Sequence, residues 1–161
     1  MSTTASGTAS LLLNDAQNRL EINIQLFGLD LDGNQTPGTP ADDVTGAHIH
    51  FALSGSNGAV VFGFISPSSD LNGDIVVDPV AGTIFSGWDL NEGNNTTLND
   101  QLTNLFAGNL YINVHTVTNP GGEIRGQIQV VPIPAAFWLF GSGLLGLVGI
   151  ARRKKGAYSL K

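Results

Sequence analysis

Leu20-Glu21-Ile22-Asn23-Ile24-Gln25-Leu26 alternates apolar and polar residues without a fault. Side chains along a strand leave opposite faces in turn, so this stretch predicts a strand with one buried face and one wet face. The pattern repeats in both directions. Residues 9–13 read as a first strand, and residues 47–53 place Ala47, Ile49, Phe51 and Leu53 on one inward face. Residues 60–65, 75–77 and 83–87 are shorter apolar stretches between Gly, Asn and Pro turns. Residues 110–116 would bury Leu110, Ile112 and Val114, and residues 124–130 would bury Ile124, Ile128 and Val130. About seven or eight strands at such spacing predict an all-β fold, an antiparallel Greek-key-like β-sandwich or barrel.

One stretch breaks the period of two. Thr97 stands as an N-cap with Asp100 three residues on, Leu98, Leu102 and Leu105 share a helical face, and Gly108 follows as a stop. These signals predict one short helix that covers an open end of the β-fold. Residues 28–43, rich in Gly, Pro, Asp and Thr, predict a long loop.

The charge is divided between the two ends. All 13 acidic residues lie at or before Glu123, while of the 7 basic residues only Arg19 and Arg125 do. Residues 1–130 therefore carry a formal charge of −11. Such a field repels phosphates and excludes nucleic acid as a partner. Most of the acids stand in turn contexts such as Asp32-Gly33, Asp78-Pro79 and Asn91-Glu92-Gly93, where they read as solvated loops. Cysteine is absent, which removes disulfides, cysteine-bound zinc and thiol nucleophiles together. Residues 1–130 form one domain of a length that buries a sufficient core without such staples.

From Val131 the composition changes. The motif Val131-Pro132-Ile133-Pro134-Ala135 leads into an uncharged apolar run through Ala151, and Arg152-Arg153-Lys154-Lys155 follows. The span 135–151 reaches about 26 Å as a helix, the short end of a bilayer crossing. Pro132 and Pro134 cannot extend it backward. The basic cluster on its C-terminal side leaves the tail in the cytoplasm and the domain outside. A buried core helix would show a polar stripe, and this run has none.

This order of parts resembles the PEP-CTERM sorting signals of bacterial exopolysaccharide-associated secreted proteins, in the variant reading Val-Pro-x-Pro-Ala. Val131, Pro132, Pro134 and Ala135 match that motif, and Arg152 and Arg153 open the basic cluster. The resemblance implies export and a transient anchor in the inner membrane. It further implies cutting near the motif by an exosortase-type enzyme and a final place at the cell surface or in the extracellular matrix. Exopolysaccharide or surface proteins would be the partners there. Such a tail calls for an N-terminal export signal, and residues 1–10 hold no basic residue and no apolar stretch of the required length.

Three histidines carry the chemistry. His48 and His50 stand two apart, so both leave one strand face, opposite to Ala47 and Ile49. His115 leaves its strand opposite to Ile112 and Val114, beside Tyr111 and Asn113. If the two strands are neighbours, three imidazoles converge and form a site suited to Cu or Zn with a fourth position open. A histidine on the second face of a strand more commonly bonds backbone or polar neighbours, and both readings stand at this level. Glu123 and Arg125, also two apart, predict a surface ion pair of at most about 1 kcal/mol. Asp30, Asp32, Gly33 and Asn34 lack the spaced ligands and closing Glu of a calcium loop. No serine sits in a Gly-x-Ser-x-Gly elbow between strand and helix, no carboxylate pair stands out, and no enzyme activity is expected.

The histidines also carry a family resemblance. Gly46-Ala47-His48-Ile49-His50-Phe51, with Gly58 after it, resembles the first signature of the CHRD domain, named from the animal protein chordin. Residues 108–116, ending Tyr111-Ile112-Asn113-Val114-His115-Thr116, and then Asn119-Pro120-Gly121-Gly122-Glu123-Ile124-Arg125-Gly126-Gln127-Ile128 resemble the second. The resemblance spans roughly residues 5–130 and implies an all-β extracellular domain without a settled activity. The His-x-His pair is similar also to the strand ligands of copper/zinc superoxide dismutases, but the further histidines of a two-metal site are missing. Two functions follow: an exported, non-enzymatic binding or structural module, or an extracytoplasmic metalloprotein holding Cu or Zn on His48, His50 and His115.

Overall fold

The computed structural model describes residues 3–131. Residues 132–161, with Pro132, Pro134, Ala135, the expected membrane span and Arg152 and Arg153, lie outside the described residues. Among the described residues no helix is long and apolar enough to cross a membrane.

Eight strands and one helix follow in the order β1 Ser6–Leu13, β2 Arg19–Phe27, β3 Val44–Phe51, β4 Ala59–Ile65, β5 Val76–Asp78, β6 Thr83–Asp89, α1 Leu98–Phe106, β7 Leu110–Thr116 and β8 Ile124–Gln127. They form two four-stranded sheets, ordered β1-β2-β6-β5 and β4-β3-β7-β8, with every pairing antiparallel. The sheets are separate, so the fold is a sandwich and not a closed barrel. Four consecutive hairpins alternate between the sheets, which places β2 beside β6 in one and β3 beside β7 in the other.

β2 follows its sequence pattern in full. Leu20, Ile22, Ile24 and Leu26 are buried and Glu21 and Asn23 exposed. Across the sheet Leu20 pairs with Trp88, Ile22 with Ser86 and Ile24 with Ile84, so the inward row continues onto β6. Trp88 is fully buried and stacks on Phe62 of the opposite sheet at 4.9 Å, and Phe62 meets Phe64 edge-on at 5.4 Å. The Trp88 indole donates to the Glu92 carbonyl at 2.6 Å, satisfying its single N–H inside the core.

The helix forms as expected. Asp100 N–H donates to the Thr97 hydroxyl, and the Asp100 carboxylate accepts from Thr97 N–H, a closed capping box. Leu98 and Leu105 enter the core and Leu102 is half-buried. Gly108, in the left-handed region at φ +70°, ends the helix. The long loop before β3 is organised by Asp30. Its carboxylate accepts from the N–H of Asp32, Gly33 and Thr36. Burial raises its pKa, and these donors outweigh burial and hold it at about 2.

Three inward assignments do not hold. Phe51 is 42% exposed, Leu53 66% and Val130 51%. β3 ends at Phe51 and β8 at Gln127, so Leu53 lies in a turn and Val130 beyond its strand, while Phe51 sits at the sandwich rim. Alternation in sequence ran past the points where the backbone leaves the sheet.

Candidate metal centre

β3 and β7 are the two middle strands of the second sheet. In their register His48 lies opposite Asn113, His50 opposite Tyr111, and His115 opposite Gly46. The strands are therefore neighbours, and the three histidines meet on the outer face. Ring centroids are 5.7 Å apart for His48 and His50, 5.1 Å for His48 and His115, and 5.7 Å for His50 and His115. One nitrogen of each ring lies within 4.8 Å of the other two.

An outer sheet face is ordinarily wet, but here His48 is only 7% and His50 8% exposed, with His115 half-buried. Two loops reach this face, while Gly58 and Tyr111 lie against His50. After β4 the chain folds back so that Ser69 N–H donates to the Gly63 carbonyl at 2.8 Å and Gly63 N–H to the Ser69 hydroxyl at 3.0 Å. After β7 the Asn119-Pro120-Gly121-Gly122 turn closes on itself, with Gly122 N–H donating to the Asn119 carbonyl at 2.9 Å. Gly46 leaves room for the first loop: a Cβ there would stand 2.8 Å from His48 Cε1 and 3.4 Å from the Ser66 carbonyl oxygen.

Each ring has one nitrogen fixed by backbone. His48 Nε2 lies 2.9 Å from the Ser66 carbonyl, His50 Nδ1 2.9 Å from that of Gly58, and His115 Nδ1 2.9 Å from that of Pro120. A carbonyl only accepts, so each of these nitrogens carries the proton and the other nitrogen carries a lone pair. His48 Nδ1 and His50 Nε2 are buried without any partner. His115 Nε2 has Asn113 Nδ2 at 3.4 Å, a weak contact. An unpaired buried acceptor costs about 1–3 kcal/mol. Burial lowers the pKa of both His48 and His50 from the usual 6.5, against the upward pull of the Ser66 and Gly58 carbonyls. A positive charge on His115 would lower both further. Rings oriented by a carbonyl on one nitrogen, with the other nitrogen free to coordinate, form the arrangement in which proteins hold metal-ligating histidines.

The surroundings are neutral or basic. Tyr111 stacks on His50 at 4.9 Å and 12°, its hydroxyl accepts from Gly58 N–H at 3.1 Å, and the Arg125 guanidinium lies 3.3 Å from its ring centroid. Arg125 thus does not pair with Glu123 as expected. It covers Tyr111 and reaches Asn57, while Glu123 accepts from the Thr116 hydroxyl at 3.0 Å and from the Asn119 amide. Glu123 precedes β8, so the two side chains do not share a strand face. Sequence reading found the histidines but not the carbonyls of Ser66, Gly58 and Pro120 that orient them. Only the glycines and the Asn-Pro-Gly-Gly turn of the two signatures signalled that loops come close there.

The geometry defines an all-β two-sheet domain with a recessed three-imidazole cluster on one outer face. Residues 1–128 match the CHRD domain family, and the chain belongs to that family. No curated protein and no solved structure matches the chain.

Proposed function

We propose that this chain is an exported, non-enzymatic CHRD-domain module that holds one Cu or Zn ion between His48, His50 and His115. The single observation carrying the metal is the convergence of the three rings: one nitrogen of each lies within 4.8 Å of the others, and each ring is also held by a backbone carbonyl. His48 Nδ1 and His50 Nε2 are buried without a partner, so a cation between the rings would satisfy groups that the protein leaves unsatisfied. All-nitrogen, thiolate-free ligation suits Cu and Zn. Export is supported by family membership and by the proline motif, apolar span and basic cluster of the tail, which also make an exosortase-type enzyme the processing partner. At the surface the module would meet exopolysaccharide or other surface proteins.

Calorimetric titration of the full chain with Cu²⁺ and with Zn²⁺ tests the reading. One ion binds per chain, and the variant His48→Ala, His50→Ala, His115→Ala retains its circular dichroism and loses that binding. Each single substitution weakens binding by more than the roughly 10–100-fold that lost supporting hydrogen bonds cost a metal site. Equal binding by chain and triple variant would leave the histidines as packing residues.

A further inference from the structure

Asn113 occupies the centre of the cluster's floor, in register with His48 and between Tyr111 and His115 on β7. It is only 6% exposed. Its Nδ2 lies 3.3 Å from the Gly121 carbonyl and 3.4 Å from His115 Nε2. The first contact decides which end of the amide faces the site. A carbonyl oxygen cannot donate, and turning the amide over would set two oxygens against each other. One amide hydrogen therefore goes to Gly121, and the second is directed at the nitrogen that His115 offers to the centre.

The Asn-Pro-Gly-Gly turn holds this amide in place. Gly122 has φ +126°, and a Cβ there would overlap the Asn113 side chain, so only glycine lets the turn press against it. The same turn supplies the Pro120 carbonyl to His115 Nδ1. One loop thus positions both a candidate ligand and the donor beside it.

An amide NH₂ has no lone pair for a metal, so Asn113 is not a ligand. Among the described residues no Asp, Glu or Cys joins the three histidines either. A divalent ion on three neutral imidazoles keeps its charge and one open position. Once the His115 lone pair is given to the metal, the second Asn113 hydrogen loses its acceptor. Resting on the metal reading above, we infer that the fourth position takes a small exogenous anion or oxygen ligand, and that Asn113 Nδ2–H donates to it. Asn113 is a positioning residue for that ligand.

Azide serves as the probe. The Cu²⁺-loaded full chain is titrated with azide and followed by the azide-to-copper charge-transfer band, beside Asn113→Leu, which has similar size and no donor. Copper binds both one-to-one, and azide binds the variant at least about tenfold more weakly, as loss of a hydrogen bond to a charged acceptor requires. Asn113→Ala repeats the comparison with a smaller residue. In the unmutated Zn²⁺-loaded chain the Asn113 side-chain amide proton moves downfield on adding azide, a readout that needs no variant. Unchanged azide affinity in the variants, or an unmoved amide proton, overturns the role of Asn113 and leaves the metal site standing. Loss of copper by both folded variants also overturns it, since Asn113 would then be holding the rings. Absence of copper and zinc binding in the unmutated chain is a different result and removes the metal site itself.

Discussion

At the scale of the residue, each imidazole is a ring with two roles divided between its nitrogens. One nitrogen is held by a carbonyl and the other is left to the site, and burial disfavours the charged form of His48 and His50. This has a consequence for pH. In the unfolded chain His48 and His50 titrate near 6.5. In the folded chain their pKa values are lower, because burial disfavours the charged form. Between the two values the unfolded chain binds more protons, so the metal-free protein loses stability as pH falls through 6.5 and the loss levels off below the folded values. Above 6.5 these two residues add no pH dependence. Urea denaturation from pH 8 to pH 5 checks this, and substituting both by Ala flattens the descent. Cu²⁺ and Zn²⁺ affinity falls at lower pH, as the pH drops through the lowered folded values, because protons and metal compete for the same lone pairs. The sharing of one face by His48 and His50 was legible in the sequence, since strand parity alone dictates it. The carbonyls of Ser66 and Gly58 were not, because they reach the rings through loop paths that no short-range pattern encodes.

At the scale of the element, the middle strands β3 and β7 differ from β2 in having both faces covered. His48, Ile49 and His50 are all buried, and so are Tyr111, Ile112, Asn113 and Val114. Alternation reads such strands only on their apolar side; what covers the other side comes from loops. The turn at Gly121 and Gly122 is the element on which that cover depends. Gly122→Ala places a Cβ at φ +126° against Asn113, and destabilisation of about 1–3 kcal/mol in urea is expected. It also weakens copper binding, because the Pro120 carbonyl moves with the turn. Thr97→Ala opens the capping box of α1 and costs about 1 kcal/mol by the same assay. α1 contributes no group to the cluster, so copper affinity there stays unchanged. The helix was legible because its cap, leucine spacing and terminal glycine are local signals. The rim position of Phe51 was not, because strand ends are decided by where the partner strands stop.

At the scale of the whole molecule, the core joins the two sheets and the site is built on the outer side of one of them. Leu20, Ile22, Ile24, Ile84 and Trp88 of the first sheet meet Ala47, Ile49, Phe62 and Val114 of the second in one cluster. Trp88→Ala removes the stack on Phe62 and leaves the Glu92 carbonyl without its donor. A loss of roughly 3–5 kcal/mol is expected from thermal or urea unfolding. The acidic domain holds its histidines beside the basic Arg125, whose charge adds to the lowering of His50. An antiparallel all-β fold of about eight strands was legible from strand count and turn spacing, with sandwich and barrel both open. The pairing of β3 with β7, across 58 intervening residues, was not, and on that pairing the meeting of the three imidazoles rests. X-ray absorption at the metal edge of the Cu²⁺- or Zn²⁺-loaded full chain tests that meeting most directly. Three imidazole nitrogens at about 2.0–2.1 Å with one further oxygen or nitrogen ligand are predicted. A shell of oxygens, or a spectrum unchanged in the triple histidine variant, would contradict it.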